Sequence, residues 1–175
     1  MRFVALLRGI NVGGRTMVRV DDILAELEQI GHANVSSYIN SGNFAFDTKM
    51  RSEANMISEI ESALEARFGR PIAVMVRPQS AIGAIIENNP FAGEFESHKE
   101  MHVLFMKGVM PHEAQSLLLE KQTDDERFAV CGREIYCHLR RGVADSLLGS
   151  GFIEKRLKIP VTGRNWRTVE KLSTL

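Results

Sequence analysis

The sequence lacks any long apolar run. Of its 175 residues 44% are hydrophobic, yet no stretch approaches the ~20 consecutive apolar residues that a membrane-spanning helix needs. The start of the chain, Met1-Arg2-Phe3, also lacks the ordered basic, apolar and cleavage regions of a signal peptide. We therefore expect a cytoplasmic protein that has no membrane partner.

The sequence also lacks an excess of charge of either sign, since it has 22 basic and 22 acidic residues. A dedicated nucleic-acid domain usually has a pI above about 9. Charge is nevertheless uneven, because residues 87–126 carry −6 and residues 127–175 carry +6. We expect these segments to be solvated or to lie against one another, with no sequence-specific nucleic-acid binding.

The hydrophobic pattern of the first half predicts the order β-α-β-β-α-β, which is that of a ferredoxin-like unit. Alternating residues predict strands and apolar residues at helical spacing predict helices, in the order strand 3–7, helix 20–30, strand 34–39, strand 43–47, helix 57–68 and strand 71–76. We expect Val35, Ile39, Phe44 and Phe46 to face the helices. The opposite face, which has Ala45 at its centre instead of a stacking aromatic, should be buried against the rest of the chain.

The second half repeats this mixture of elements after a segment rich in turn-forming residues at 88–94. Its pattern predicts strands at 101–106, 127–131 and 134–139, and helices from Pro111, across 147–157 and around Trp166. The predicted organisation is α+β, with a first subdomain over 1–87, a linker over 88–99 and a second subdomain over 100–175. We find no clear internal sequence repeat.

A glycine-rich loop follows the first strand, and we call residues 8–19 loop one. Glycine lets a backbone approach a ligand closely, and the guanidinium of Arg8 suits phosphate or carboxylate. Loop one matches neither the dinucleotide-binding nor the P-loop spacing. Its candidate ligand-binding residues are Arg8, Asn11, Gly13 and Gly14. The alternative is a tight turn in which Arg8 caps carbonyls or pairs with a carboxylate.

A second candidate segment is the hairpin turn, residues 40–43. Ferredoxin-like order places strands one and three side by side and antiparallel, so the turn should lie beside loop one. Ser41 and Asn43 are therefore predicted to converge with Arg8 and Asn11 on one ligand. The alternative is a structural turn whose asparagines bond their own backbone.

The third candidate segment is Arg164-Asn165-Trp166, which the pattern predicts to begin a short basic helix. Free N–H groups at a helix N-terminus can bind an anion, and Arg164 is a candidate ligand contact. Trp166 either stacks on a ligand ring, or packs between the subdomains while Asn165 or Thr162 caps the helix.

None of these three segments contains Asp, Glu, His or Cys. Acid–base catalysis and metal binding need such side chains, so we assign no catalytic residue, no cofactor and no metal. The alternating residues His98, Glu100 and His102 suit a metal at a strand edge, but no further ligand is placed beside them.

With these segments the chain resembles the bacterial domain of unknown function 1697 family over its whole length. The matching stretches are Leu6–Gly14, Tyr38–Asn43, Asn89-Pro90-Phe91, Gly132–Tyr136 and Thr162–Val169. The resemblance implies an α+β protein of two ferredoxin-like subdomains packed into one compact unit, and it implies no activity. Asn40 and Arg167 depart from the glutamine and asparagine that are common in the family.

The leading hypothesis is a protein that binds a small anionic ligand, phosphorylated or nucleotide-like, where the three segments meet. One alternative is a group-transfer enzyme that uses the same pocket with a base such as Glu134 or His138. Another is a module that docks a protein or nucleic acid. The sequence specifies neither the identity of the ligand nor the oligomeric state.

Overall fold

The computed structural model describes residues 1–14 and 17–175, which form two compact units. The first unit is Met1–Ala84 with Lys171–Leu175, and the second is Ile85–Glu170. The terminal segment belongs to the first unit through side-chain hydrogen bonds, since Arg2 Nε donates to the Leu175 oxygen at 2.8 Å. The predicted subdomain limits at 87 and 99 stay a prediction. Among the described residues, no helix is long and apolar enough to cross a membrane.

The first unit has a four-stranded antiparallel sheet in the order β2-β3-β1-β4. Its elements are β1 (Arg2–Leu7), α1 (Val20–Gln29), β2 (Ala33–Ser37), β3 (Asn43–Asp47), α2 (Glu53–Phe68) and β4 (Val74–Pro78), followed by α3 (Gln79–Glu87). This confirms the predicted order of elements. The fourth strand begins three residues later than predicted, at Val74.

One face of this sheet packs against α1 and α2. Alternate residues of β1 point towards these helices and form a core with both phenylalanines of β3 and with two valines of β4, comprising Phe3, Ala5, Leu7, Phe44, Phe46, Val74 and Val76. The predicted inward positions of Phe44, Phe46 and Val35 are confirmed. Ile39 differs, because β2 ends at Ser37 and Ile39 is exposed in the turn beyond it.

The opposite face of the sheet is buried as well. Val4 pairs with Ala45, and Leu6 pairs with Met75, and all four side chains are fully buried. A nucleic-acid base therefore cannot stack on these four positions.

The second unit has the same topology, with a sheet in the order β6-β7-β5-β8. Its elements are β5 (Met101–Met106), α4 (His112–Leu119), β6 (Glu126–Cys131), β7 (Glu134–Leu139), α5 (Phe152–Lys155) and β8 (Val161–Asn165), followed by α6 (Trp166–Leu172). Both units are thus ferredoxin-like, and the predicted α+β class is confirmed.

Two sequence predictions for this unit are wrong. The helix predicted over 147–157 shrinks to Phe152–Lys155, because Gly151 takes a left-handed φ of +74° and the Ser146 hydroxyl accepts from the Gly149 amide in a turn. Arg164 and Asn165, predicted to begin a helix, instead end the strand β8. Pairing with β5 decides this, since Thr162 and Arg164 lie opposite Phe105 and Val103.

Gly42 is required where β3 begins, and it provides a test of the fold. It has a φ of +86°, and a Cβ there would lie 2.9 Å from Leu7 Cβ and 3.0 Å from the Leu7 carbonyl oxygen. We expect Gly42→Ala to lower the free energy of unfolding by about 2 to 4 kcal/mol, because backbone strain and overpacking add. Urea titration measures this change.

The matched control is Gly69→Ala. Gly69 has a similar φ of +69°, but nothing lies within 4 Å of the position of its Cβ. Gly69→Ala should lower the free energy of unfolding only by the cost of placing alanine in a left-handed conformation, about 1 kcal/mol. Equal losses in the two variants would show that the close approach of Leu7 contributes nothing.

Candidate functional site

Loop one begins at the end of β1, which lies between β3 and β4 in the sheet. The Leu7 amide donates to the Gly42 carbonyl at 2.9 Å, and the Arg8 amide donates to the Ala73 carbonyl at 2.9 Å. The first residues of loop one are therefore held beside the hairpin turn on one side and the entry to β4 on the other. The side chain of Arg8 is half-buried at this point.

The side chain of Asn11 closes loop one. Its Oδ1 accepts from the Val18 amide at 2.8 Å, and its Nδ2 donates to the Val18 carbonyl at 3.0 Å. The same Nδ2 donates to the Asn40 carbonyl at 2.8 Å, which joins loop one to the hairpin turn. Asn11 has a left-handed φ of +52°, a conformation that asparagine tolerates better than most residues.

The closed loop borders a depression of about 410 Å³ at the N-terminus of α1. The described residues that line this loop-one depression are Asn11, Met17, Val18, Arg19, Val20, Asp21 and Asn40. Asn11 thus lies beside the depression, while both ends of its amide group are already hydrogen-bonded. Gly13 and Gly14 are exposed in the same loop, with φ values of +60° and +70°.

Ser41 and Asn43, the two predicted ligand-binding residues of the hairpin turn, are hydrogen-bonded within the hairpin. Asn43 is fully buried, and its Nδ2 donates to the Tyr38 carbonyl at 3.0 Å and to Ser41 Oγ at 3.3 Å. Ser41 is half-buried. These contacts match the alternative in which the polar residues of the turn bond one another and the backbone.

Charged residues surround the start of α1. The Arg19 side chain is exposed and lies 3.6 Å from the Asp21 carboxylate, so this pair is screened by solvent. Asp22 accepts from Arg67 at 2.9 Å, and the same guanidinium lies 3.7 Å from Glu26. Both first-turn aspartates stabilise the helix N-terminus.

Sequence reasoning missed Met17, Arg19 and Asn40 as residues beside the candidate site. The signal for Asn40 was present, because it lies in the predicted turn. Met17 and Arg19 gave no such signal, since they belong to neither a motif nor a regular element. The tertiary bond from Asn11 to Val18 brings their segment back to the start of the loop.

Arg164 lies in β8 and not at a helix N-terminus, which corrects the predicted setting. It is 7% exposed, and its Nη1 donates to Thr162 Oγ1 and to the Gly163 carbonyl, both at 2.8 Å. Burial lowers the pKa of Arg164 to about 10, so it stays cationic at neutral pH. The following helix begins at Trp166, and Asn165 caps it by accepting from the Thr168 amide at 3.0 Å.

Arg77 holds the equivalent position in the first unit. It is the fourth residue of β4 and pairs with Val4, just as Arg164 is the fourth residue of β8 and pairs with Val103. Arg77 is 2% exposed, and its Nη1 donates to the preceding carbonyl, that of Val76, at 2.8 Å. Each ferredoxin-like unit therefore has a buried arginine at the same place in its last strand.

Aromatic and histidine side chains of the second unit are mainly packed. Trp166 is buried and meets Phe95 edge-on, with ring centroids 5.8 Å apart. His138, a candidate base, is buried with its ring 5.8 Å from that of Phe91. Glu134, the other candidate base, is half-buried at the start of β7.

The described residues contain no group of three or more His, Cys, Asp or Glu side chains suited to a metal.

Comparisons with known proteins agree with this architecture. The sequence model of the family described as "Protein of unknown function (DUF1697)" matches residues 1–136. A solved structure of a conserved bacterial protein from Streptococcus pneumoniae is similar at a TM-score of 0.73 and 26% identity, covering 98% of this chain and 96% of that one. No curated protein matches the chain.

The Asn11 bonds predict that Asn11→Asp destabilises the protein. Aspartate keeps the size and the left-handed tolerance of asparagine, but its carboxylate cannot donate to the Val18 and Asn40 carbonyls. At about 1 kcal/mol for each lost bond, we expect urea titration to show a loss of about 2 kcal/mol. The matched control is Asn55→Asp, at an exposed position in the first turn of α2, where an acidic side chain should not lower stability. An unchanged stability in Asn11→Asp would show that the closure of loop one depends on other contacts.

The burial of His102 predicts that the protein loses stability in acid. Burial, with a smaller contribution from the positive charge of His98, lowers the pKa of His102 to about 4. Between pH 6.5 and 4 the unfolded chain binds a proton that the folded protein excludes, so stability falls as the pH drops through this window. We expect His102→Gln to remove about 2 to 3 kcal/mol of that fall, as measured by urea titration at several pH values. An acid-induced fall that is the same in His102→Gln and in the unsubstituted protein would show that His102 does not cause it.

Proposed function

This chain belongs to the DUF1697 family of proteins of unknown function, and from that premise we propose that it is a cytoplasmic protein that binds a small anionic ligand at the loop-one depression. The observation that carries the proposal is the closure of an arginine-bearing, glycine-rich loop against the hairpin turn. The chemical class that we propose is phosphorylated or nucleotide-like.

The charge of loop one supports an anionic ligand. Between residues 8 and 20 the sequence has three arginines, Arg8, Arg15 and Arg19, and no carboxylate. Arginine presents donors in a fork that matches two oxygens of a phosphate or carboxylate. The next acidic residue in the sequence is Asp21, which lines the same depression with its carboxylate 3.6 Å from Arg19. The sequence of loop one therefore carries a net positive charge.

The size and the backbone of the site support the same ligand class. Pockets for small molecules commonly measure about 300 to 1,000 Å³, and the loop-one depression has about 410 Å³. Gly13 and Gly14 have no side chains to block approach to their backbone N–H groups. Asn11 acts here as the clamp that shapes the loop, while Arg8 is the proposed electrostatic anchor. Ser41 and Arg164 stay predicted ligand contacts.

Arg8→Lys tests this function. Lysine keeps the charge but loses the bidentate fork, so we expect the affinity for inorganic pyrophosphate to fall about tenfold, which corresponds to about 1.4 kcal/mol. Isothermal titration calorimetry measures the affinity, and thermal unfolding without pyrophosphate should show a Tm within about 2 °C of the unsubstituted protein.

The matched control is Arg70→Lys, an exposed arginine after α2 that lies outside the candidate site. It should change neither affinity nor Tm. If Arg8→Lys binds pyrophosphate as well as the unsubstituted protein, or unfolds, then Arg8 is a structural residue and the proposed site loses its anchor.

A further inference from the structure

Exposed apolar side chains occur in the two segments that border the loop-one depression. Val12, Met17 and Ile39 are 60%, 67% and 52% exposed. They are three of the seven large exposed hydrophobic side chains in residues 1–14 and 17–175. Met17 lines the depression, while Val12 and Ile39 adjoin two other lining residues, Asn11 and Asn40.

The Asn11 clamp joins the segments that carry these three side chains. Val12 follows Asn11 directly. Met17 lines the depression and precedes Val18, which exchanges two hydrogen bonds with Asn11. Ile39 precedes Asn40, whose carbonyl accepts from Asn11 Nδ2 at 2.8 Å. Asn11 therefore bonds directly to a chain neighbour of Met17 and to a chain neighbour of Ile39.

The backbone at position 39 is unfavourable for isoleucine. Its φ is +50°, in the left-handed region that disfavours β-branched side chains most strongly. Two of the other described non-glycine residues with positive φ are asparagines, Asn11 and Asn34, and the third is the unbranched Lys158. Ile39 thus combines backbone strain with solvent exposure of an apolar side chain, and both oppose stability. Residues held under strain in this way cluster at ligand-binding sites.

We propose that the ligand of this site is an amphipathic anion. Its anionic group would bind Arg8 and Arg19, and its alkyl or aromatic portion would rest on Met17 with Val12 and Ile39 beside it. The inference rests on the proposed function and adds the apolar portion of the ligand. A ligand that covers the apolar side chains removes them from water, which offsets the cost of holding them exposed in the free protein. The volume of about 410 Å³ suits a small molecule of this kind.

The test compares two probes, inorganic phosphate and hexyl phosphate, by isothermal titration calorimetry. They share a phosphate group and differ in the alkyl chain, so their affinity ratio isolates the apolar surface. We expect hexyl phosphate to bind at least tenfold more tightly. The variants Ile39→Asn and Met17→Ser should each lower this ratio at least threefold.

Thermal unfolding separates the role of Ile39 in binding from its backbone strain. Ile39→Asn should raise the Tm while it lowers the affinity ratio, because asparagine tolerates the left-handed backbone. Lys158→Asn is the matched control, since Lys158 has a similar φ of +60° in the second unit. It should raise the Tm and leave the ratio unchanged. If Ile39→Asn does not fold, the affinity ratio of Met17→Ser alone tests the apolar contact.

The outcomes distinguish the two proposals. Binding of both probes with equal affinity overturns the amphipathic ligand and leaves the anion site standing. Binding of neither probe overturns the proposed function together with this inference. A ratio that neither Ile39→Asn nor Met17→Ser changes overturns the apolar contact, as does a Tm that rises with protein concentration, which would assign the surface to a second copy of the chain.

Discussion

The pairing of β1 with both of its neighbours is the constraint on which the first unit depends. Val4 lies opposite Ala45 on one side and Arg77 on the other. This position buries both faces of the strand, so one set of alternate residues packs on the helices while the other set is buried on the opposite face. It also determines where loop one begins, because the last pairs of β1 fix the amides of Leu7 and Arg8.

Beyond β1 the architecture of the site depends on hydrogen bonds between residues that are close in space but apart in the sequence. The Asn11 amide group supplies three of these bonds, two to Val18 and one to Asn40. An asparagine can do this because it offers one acceptor oxygen and two donor hydrogens on a short side chain that tolerates left-handed backbone. These bonds therefore hold residue 11 of loop one against residue 18 and against the hairpin turn.

The two units repeat more than their topology. Arg77 and Arg164 are both buried, both are fourth in the last strand of their sheet, and both donate to the carbonyl of the preceding residue. A buried guanidinium is costly unless its donors are satisfied, and the nearby carbonyl and hydroxyl oxygens satisfy part of that need. The sequence around the two arginines shows no repeat, because pairing and burial position them without requiring the same neighbours.

What the sequence determined by itself is the succession of most elements. Apolar periodicity and helix-ending glycines locate α1 and α2, and alternation locates β3, β5 and β7, because these signals are local. The convergence of loop one with the hairpin turn also follows from the topology that this order implies. Tertiary structure decided the rest. β8 exists because β5 offers it a partner, Ile39 leaves the sheet because β2 ends early, and Asn11 becomes a clamp because Val18 and Asn40 lie within reach of its amide. These outcomes depend on contacts between residues that lie apart in the chain, which a local pattern does not encode.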